Sequence, residues 1–210
     1  MEYSGFLGMN LAQHFIGDTF QDAEIDFQNL ETVKLKTKTL KSYEGNYWNE
    51  SACFSRSIEL RNDTLRYQRR DGRENSLIPI SKNRFQMVIG GGEQVFITFN
   101  QDRMTFKSGD VRALEFERFS PSAASPPVTN FSGAYYNDLL NLVYKLETDD
   151  NGLYASHPKA GRIQLSHLYD NRYQGDRWFF ASMVMHEDES GFTINTEQFK
   201  GLYFKRITGK

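Results

Sequence analysis

The sequence of 210 residues predicts a mainly β chain: two tandem small eight-stranded antiparallel β-barrels preceded by one N-terminal helix. Three observations carry this. An ungapped internal repeat superimposes residues 40–119 on residues 128–207, each copy is a run of short apolar-alternating segments punctuated by turn residues, and residues 1–39 share neither property.

The first of these elements is the stretch from Phe6 to Phe20, which sets Leu7, Leu11, Phe15 and Ile16 on one side at helical spacing, with Gly17-Asp18 near its end. Such a helix has too few neighbours to bury that face, so an exposed apolar stripe would favour a homodimer through this segment. Next, Val33-Lys34-Leu35-Lys36-Thr37-Lys38 alternates apolar with basic residues, as an edge strand or extended lead-in to the first barrel does.

The repeat itself is precise in register. Tyr43, Gly45, Tyr47, Trp48 and Asn49 fall on Phe131, Gly133, Tyr135, Tyr136 and Asn137, a shift of 88 positions, the separation of Tyr43 from Phe131. The same shift joins Leu65 to Leu153, Leu77 to Leu165, Phe116 to Phe204 and Arg118 to Arg206. Between the copies, residues 120–127 read Ser-Pro-Ser-Ala-Ala-Ser-Pro-Pro, holding three of the chain's five prolines and nothing able to build a core, which marks a linker.

Within the first copy the expected strands run Gly45 to Trp48, Phe54 to Leu60, Thr64 to Arg69, Asn75 to Ile80, Arg84 to Val88, Gln94 to Phe99, Met104 to Lys107 and Arg112 to Phe119. Asn62-Asp63, Asp71-Gly72, Gly90-Gly91-Gly92 and Ser108-Gly109-Asp110 punctuate them, as Asp149-Asp150-Asn151-Gly152, Asp170-Asn171 and Ser190-Gly191 do in the second copy. An eight-stranded barrel is filled by its own side chains or holds one small ligand, and about 80 residues per copy favour a filled core. In a closed barrel the first and last strands are neighbours, so Arg118 is expected across Tyr47 and Arg206 across Tyr135, as closing pairs worth roughly 0.5–2 kcal/mol each.

Charge and composition narrow the function classes. With 25 basic against 27 acidic residues and a net charge of −2, tight sequence-independent nucleic-acid binding has no electrostatic basis, and no nucleic acid is expected as partner. No apolar run approaches the roughly 18 residues of a membrane-spanning helix, and Met1 to Gly5 lacks the basic head and apolar stretch of a signal peptide. The single cysteine, Cys53, excludes an intramolecular disulfide and multi-cysteine zinc motifs. His14, His157, His167 and His186 show no pair at metal-ligand spacing, so neither metal nor cofactor is expected. Gly90-Gly91-Gly92 lacks the Gly-Lys-Ser/Thr of a phosphate loop and reads as a hairpin tip, and Arg69-Arg70 with Arg73 reads as a solvated hairpin end.

Several of these residues resemble a known family. Val33-Lys34-Leu35, then Leu40-x-x-Tyr43-x-Gly45-x-Tyr47, then a hairpin barrel ending Phe116-Glu117-Arg118, is similar to the accessory segment that follows the catalytic domain in β-lactamase-related, penicillin-binding-protein-like serine hydrolases. Phe131-x-Gly133-x-Tyr135-Tyr136, Trp178-Phe179-Phe180 and Leu202-x-Phe204-x-Arg206 resemble it more closely, and in the D-aminopeptidase-like branch two lipocalin-like barrels stand in tandem. The segment from Leu11 to Asp18 resembles the last helix of the catalytic domain. The glycine-aromatic and arginine closure likewise resembles that of lipocalin-like barrels.

The resemblance implies a non-catalytic accessory module whose partner is a catalytic serine-hydrolase domain of the same parent chain, in a periplasmic or other extracytoplasmic setting. It implies loops that shape substrate access, from Ile89 to Glu93 and from Ser156 to Gly161. Gly90, Gly91, Gly92, His157, Lys159 and Arg162 are then the candidate gating residues, with Lys159 and Arg162 suited to a substrate carboxylate. The family's catalytic residues do not carry over. Ser156-His157-Pro158-Lys159 has the Ser-x-x-Lys spelling, but Pro158 and its β surroundings deny it the helix that aims such a serine. Tyr47-Trp48-Asn49 and Tyr135-Tyr136-Asn137 both precede it, and Thr208-Gly209-Lys210 is scrambled. Two other classes compete: a stand-alone binder of a small apolar ligand, marked by a cavity of roughly 300 Å³ or more, and an independent esterase or amidase.

Overall fold

Side chains that alternate between the two faces of each strand generate both barrels. The structure is a computed structural model that describes residues 30–90, 93–121, 131–150 and 152–207. The first barrel comprises β1 (Gly45–Asn49), β2 (Phe54–Arg61), β3 (Thr64–Gln68), β4 (Glu74–Pro79), β5 (Arg84–Met87), β6 (Val95–Asn100), β7 (Arg103–Ser108) and β8 (Leu114–Phe119). The second comprises β9 (Gly133–Asn137), β10 (Leu142–Asp149), β11 (Gly152–His157), β12 (Gly161–Tyr169), β13 (Arg172–Gly175), β14 (Ser182–Met185), β15 (Gly191–Asn195) and β16 (Leu202–Ile207). Each is an up-and-down antiparallel meander closed by pairing of its first and last strands, β1 with β8 and β9 with β16. The two-barrel, eight-strand fold predicted from the repeat is the observed one, and the bounds of β1, β2 and β8 return 88 residues later in β9, β10 and β16.

Both interiors are filled. Along β6 the inward residues Val95, Ile97 and Phe99 are buried at every second position, and Tyr47, Phe85 and Phe116 meet them from other strands. In the second barrel Tyr135, Phe180, Phe192 and Phe204 fill the same space, Phe192 stacking on Phe204 with ring centroids 5.0 Å apart.

One end of each barrel is plugged by the residues leading into it. Of the edge strand or extended lead-in expected over residues 33–38, no strand forms: residues 30–36 lie outside any strand, Lys36 is extended, and Thr37–Lys41 is a short helix, α1. Leu40 decides this, because one helical turn drops it, 4% exposed, onto the end of the first core, while Tyr43 stacks on Phe99 at 4.6 Å. Val33 is held beside the barrel, its N–H donating to the Pro79 carbonyl at 3.0 Å. Phe131 plugs the second barrel at the matching position, edge-on to Tyr173 at 5.9 Å.

The helix expected from Phe6 to Phe20, its proposed pairing face, linker residues 122–127 and Thr208-Gly209-Lys210 lie outside the described residues. Among the described residues no helix is long and apolar enough to cross a membrane.

The barrels touch through a polar and aromatic seam. Arg70, expected to be solvated, instead donates to the carbonyl of Gly175 across the seam. Arg172 meets Glu50 at 3.2 Å and lies over the Trp48 ring at 5.0 Å, and Phe119 packs against Tyr169 with centroids 4.8 Å apart. Burial of the Arg70 guanidinium lowers its pKa from the usual arginine value, the mark of a cation drawn out of water.

Candidate functional site

The end of the second barrel opposite Phe131 is shaped by its four outer connections, each held by local hydrogen bonds. After β9, the buried Asn137 donates to the Tyr203 carbonyl at 2.6 Å and accepts from the Leu140 N–H at 2.8 Å. That fold of the chain turns Leu139 and Leu140 outward, 84% and 50% exposed. After β11, His157 Nδ1 accepts two backbone N–H groups, from Lys159 at 3.0 Å and Ala160 at 2.9 Å. A nitrogen that accepts twice carries no proton, so the neutral ring bears its hydrogen on Nε2.

The connection after β13 makes a 3₁₀ turn, Trp178–Phe180, that sends Phe180 into the core and leaves Trp178 64% exposed at the rim. After β15, Thr196 Oγ1 accepts from the N–H groups of Gln198 and Phe199, both at 3.1 Å, and Asn195 Oδ1 accepts from the Gly201 N–H at 2.8 Å. This loop presents Phe199 and Lys200.

Together these loops enclose an open-mouthed cavity of about 760 Å³. Tyr144, Phe179, Ile194, Leu202 and Phe204 make its wall, with Leu139, Leu140 and Trp178 at the rim. Its charged and titratable lining is one-sided: Lys159, Lys200 and His157, with no aspartate or glutamate among the described residues that line it. Tyr144 is 4% exposed, its hydroxyl has no hydrogen-bond partner among the described residues, and burial pushes its pKa up to about 12, so it stays a neutral donor. Lys200 Nζ reaches the Glu50 carbonyl at 2.8 Å and Cys53 Sγ at 2.7 Å, which ties this rim to the first barrel without neutralising the ammonium.

The repeat explains why the second mouth is open. In the first barrel Arg56 Nε donates to the Tyr67 hydroxyl at 2.9 Å and its guanidinium lies over Phe54 at 4.1 Å, a polar and aromatic stopper. A shift of 88 residues replaces Arg56 with Tyr144 and Tyr67 with Ala155. The stopper is gone, and the apolar wall behind it faces outward.

The structure brings two of the gating candidates together, His157 and Lys159, on this cavity. Arg162 is elsewhere, 2.5 Å from the Asp149 carboxylate and over the Tyr154 ring at 3.5 Å on the exposed side of β12. Gly90 follows β5 in the first barrel, and Gly91 and Gly92 lie outside the described residues. Ser156 Oγ donates to the Glu147 carboxylate at 3.2 Å. Among the described residues no histidine nitrogen bonds a serine hydroxyl, and no three His, Cys, Asp or Glu side chains gather as metal ligands.

At the seams of the barrels, Arg118 lies over the Tyr47 ring at 5.3 Å and donates to the Tyr47 hydroxyl at 2.8 Å and the Ser42 carbonyl at 2.6 Å. Arg206 lies over Tyr135 at 5.9 Å and donates to the Ser132 carbonyl at 2.8 Å. These pairs stand opposite each other in the strand register of both closures.

Sequence reasoning missed Tyr144, Lys200 and the rim residues Leu139, Leu140 and Trp178. One signal was present: Leu139-Leu140 is an apolar pair set in a turn, where its burial has no obvious partner. No protein-family model matches the chain, and no curated protein matches it.

Proposed function

We propose that this chain is a non-catalytic binding module in which the open end of the second barrel takes up a small, mainly apolar ligand. The observation that supports it is the cavity of about 760 Å³ between two exposed leucines and Trp178, within the roughly 300–1,000 Å³ usual for small-molecule sites. An apolar mouth of this kind gains from burial on ligand entry without any change in the filled core below it.

The test is the fluorescence of the neutral probe N-phenylnaphthylamine, which brightens in an apolar pocket. Binding at micromolar protein is the expected result. Ala160→Trp, which fills the cavity from the turn, and Leu139→Asp, at an exposed position that folding does not need, should each weaken it several-fold, as loss of buried apolar area requires. Unchanged binding in both variants would place the probe elsewhere and end this reading.

A second reading is favoured by the position of the loop from Ser156 to Gly161, which forms part of the rim. As an accessory module beside a β-lactamase-related catalytic domain of the same parent chain, the protein would offer this rim to a neighbouring active site. The sequence resemblance supports it. An intact mass for the native protein well above 24.4 kDa, with upstream peptides carrying Ser-x-x-Lys, is its expected result, and a mass at that value would remove it.

A further inference from the structure

We propose that the ligand of the second barrel is an amphipathic monocarboxylate, its aliphatic tail in the cavity and its carboxylate at the rim between Lys159 and Lys200. This rests on the reading that the mouth is a ligand site, and it adds the chemistry of the head group.

Charge complementarity in an apolar setting favours this head group. The protein carries 27 acidic residues and a net charge of −2, yet the described lining of this cavity contains two lysines and a histidine and no carboxylate. Neither lysine is in an ion pair among the described residues. Lys200 spends its hydrogen bonds on a carbonyl and a thiol, so its charge is positioned but uncompensated. His157, its Nδ1 occupied by two backbone N–H groups, has only its protonated Nε2 to offer. Each charged or titratable side chain of the described lining can therefore donate a hydrogen bond, and none is an anion: Lys159, Lys200, the His157 Nε2–H and the Tyr144 hydroxyl.

A cationic, carboxylate-free lining selects the ligand. A carboxylate accepts several hydrogen bonds and gains most from charge-assisted ones. An alcohol gains less, and an alkylammonium meets like charge with no carboxylate among the described lining residues to receive its protons. The wall of Phe179, Ile194, Leu202 and Phe204 takes the tail and has no polar side chain to satisfy.

Calorimetric titration of the full chain with decanoate, decanol and decylammonium, each below its micelle concentration, separates the outcomes. Decanoate is expected to bind about ten-fold more tightly than decanol, the size of one charge-assisted hydrogen bond, and decylammonium most weakly. Lys159→Gln should remove much of the decanoate advantage while leaving decanol unchanged, and the advantage should shrink as salt rises. Because Lys200→Gln also loosens the barrel seam, Lys159→Gln is the decisive variant. Equal binding of decanoate and decanol overturns the head-group assignment and leaves the apolar pocket standing. Failure of all three ligands, together with failure of N-phenylnaphthylamine, overturns both.

Discussion

Tyr173 and Phe85 occupy equivalent positions in the two copies, and the difference between them is one buried hydroxyl group with no hydrogen-bond partner among the described residues. A buried unsatisfied hydroxyl costs roughly 1–3 kcal/mol, so Tyr173→Phe is expected to raise stability by about 1 kcal/mol in urea denaturation; a loss of stability would show that the hydroxyl is satisfied. Burial also pushes the pKa values of Tyr144 and Tyr173 from 10.0 up to about 12. The sign follows from the unfolded chain ionising first: stability is complete below pH 10 and falls as the pH climbs from 10.0 toward 12. Alkaline unfolding should therefore move to higher pH in the Tyr144→Phe, Tyr173→Phe double variant, followed by tyrosinate absorbance. At this scale the sequence was only partly legible: Tyr67 and Ala155 hold the same place in the repeat, and only the structure shows that their difference in size opens the mouth.

At the scale of strands, closure depends on a glycine as much as on the tyrosine and arginine around it. Gly45 and Gly133 have φ values of +153° and +152°, and a Cβ on either would come within 3.5 or 3.4 Å of the arginine that crosses it. An L-residue is strained there by about 1–3 kcal/mol, so Gly133→Ala should lower the urea midpoint accordingly. The two arginines differ in what they hold. Arg118 donates to both Ser42 and Tyr47, whereas Arg206 donates to Ser132; each also lies near one carboxylate, Asp102 at 3.7 Å and Glu189 at 3.6 Å. Arg118→Met is expected to cost about 2 kcal/mol and Arg206→Met about 1 kcal/mol; an equal loss in both would assign the stabilisation to ring stacking, which they share. The glycine, tyrosine and arginine recur in both copies, so these pairings were legible before any coordinates, whereas the switch of Thr37–Lys41 to a helix was not. The alternation of apolar and basic residues from Val33 to Lys38 resembles a strand, and the need to cover the end of the first core overrides that local pattern from Thr37 onward.

For the molecule as a whole, the seam between the barrels matters because Lys200 belongs to both the seam and the cavity rim. Shared contacts at Arg70, Arg172 and Lys200 should make unfolding a single cooperative transition by calorimetry. Arg70→Ala combined with Arg172→Ala is expected to split it into two transitions, one for each barrel. A single transition that persists in the double variant would show that the seam does not couple the barrels.

The sequence by itself determined the repeat, the two barrels, their strands and the partners that close them, because each depends on periodicity two and on spacing that is preserved over 88 residues. Tertiary structure alone decided which loops converge. His157 and Lys159 are neighbours in the chain, but Tyr144, Trp178 and Lys200 join them only because antiparallel meandering returns every second connection to the same end of the barrel. Arg162 illustrates the same principle in reverse. It stands only three residues from Lys159, yet strand direction carries it away from the mouth and into its pair with Asp149.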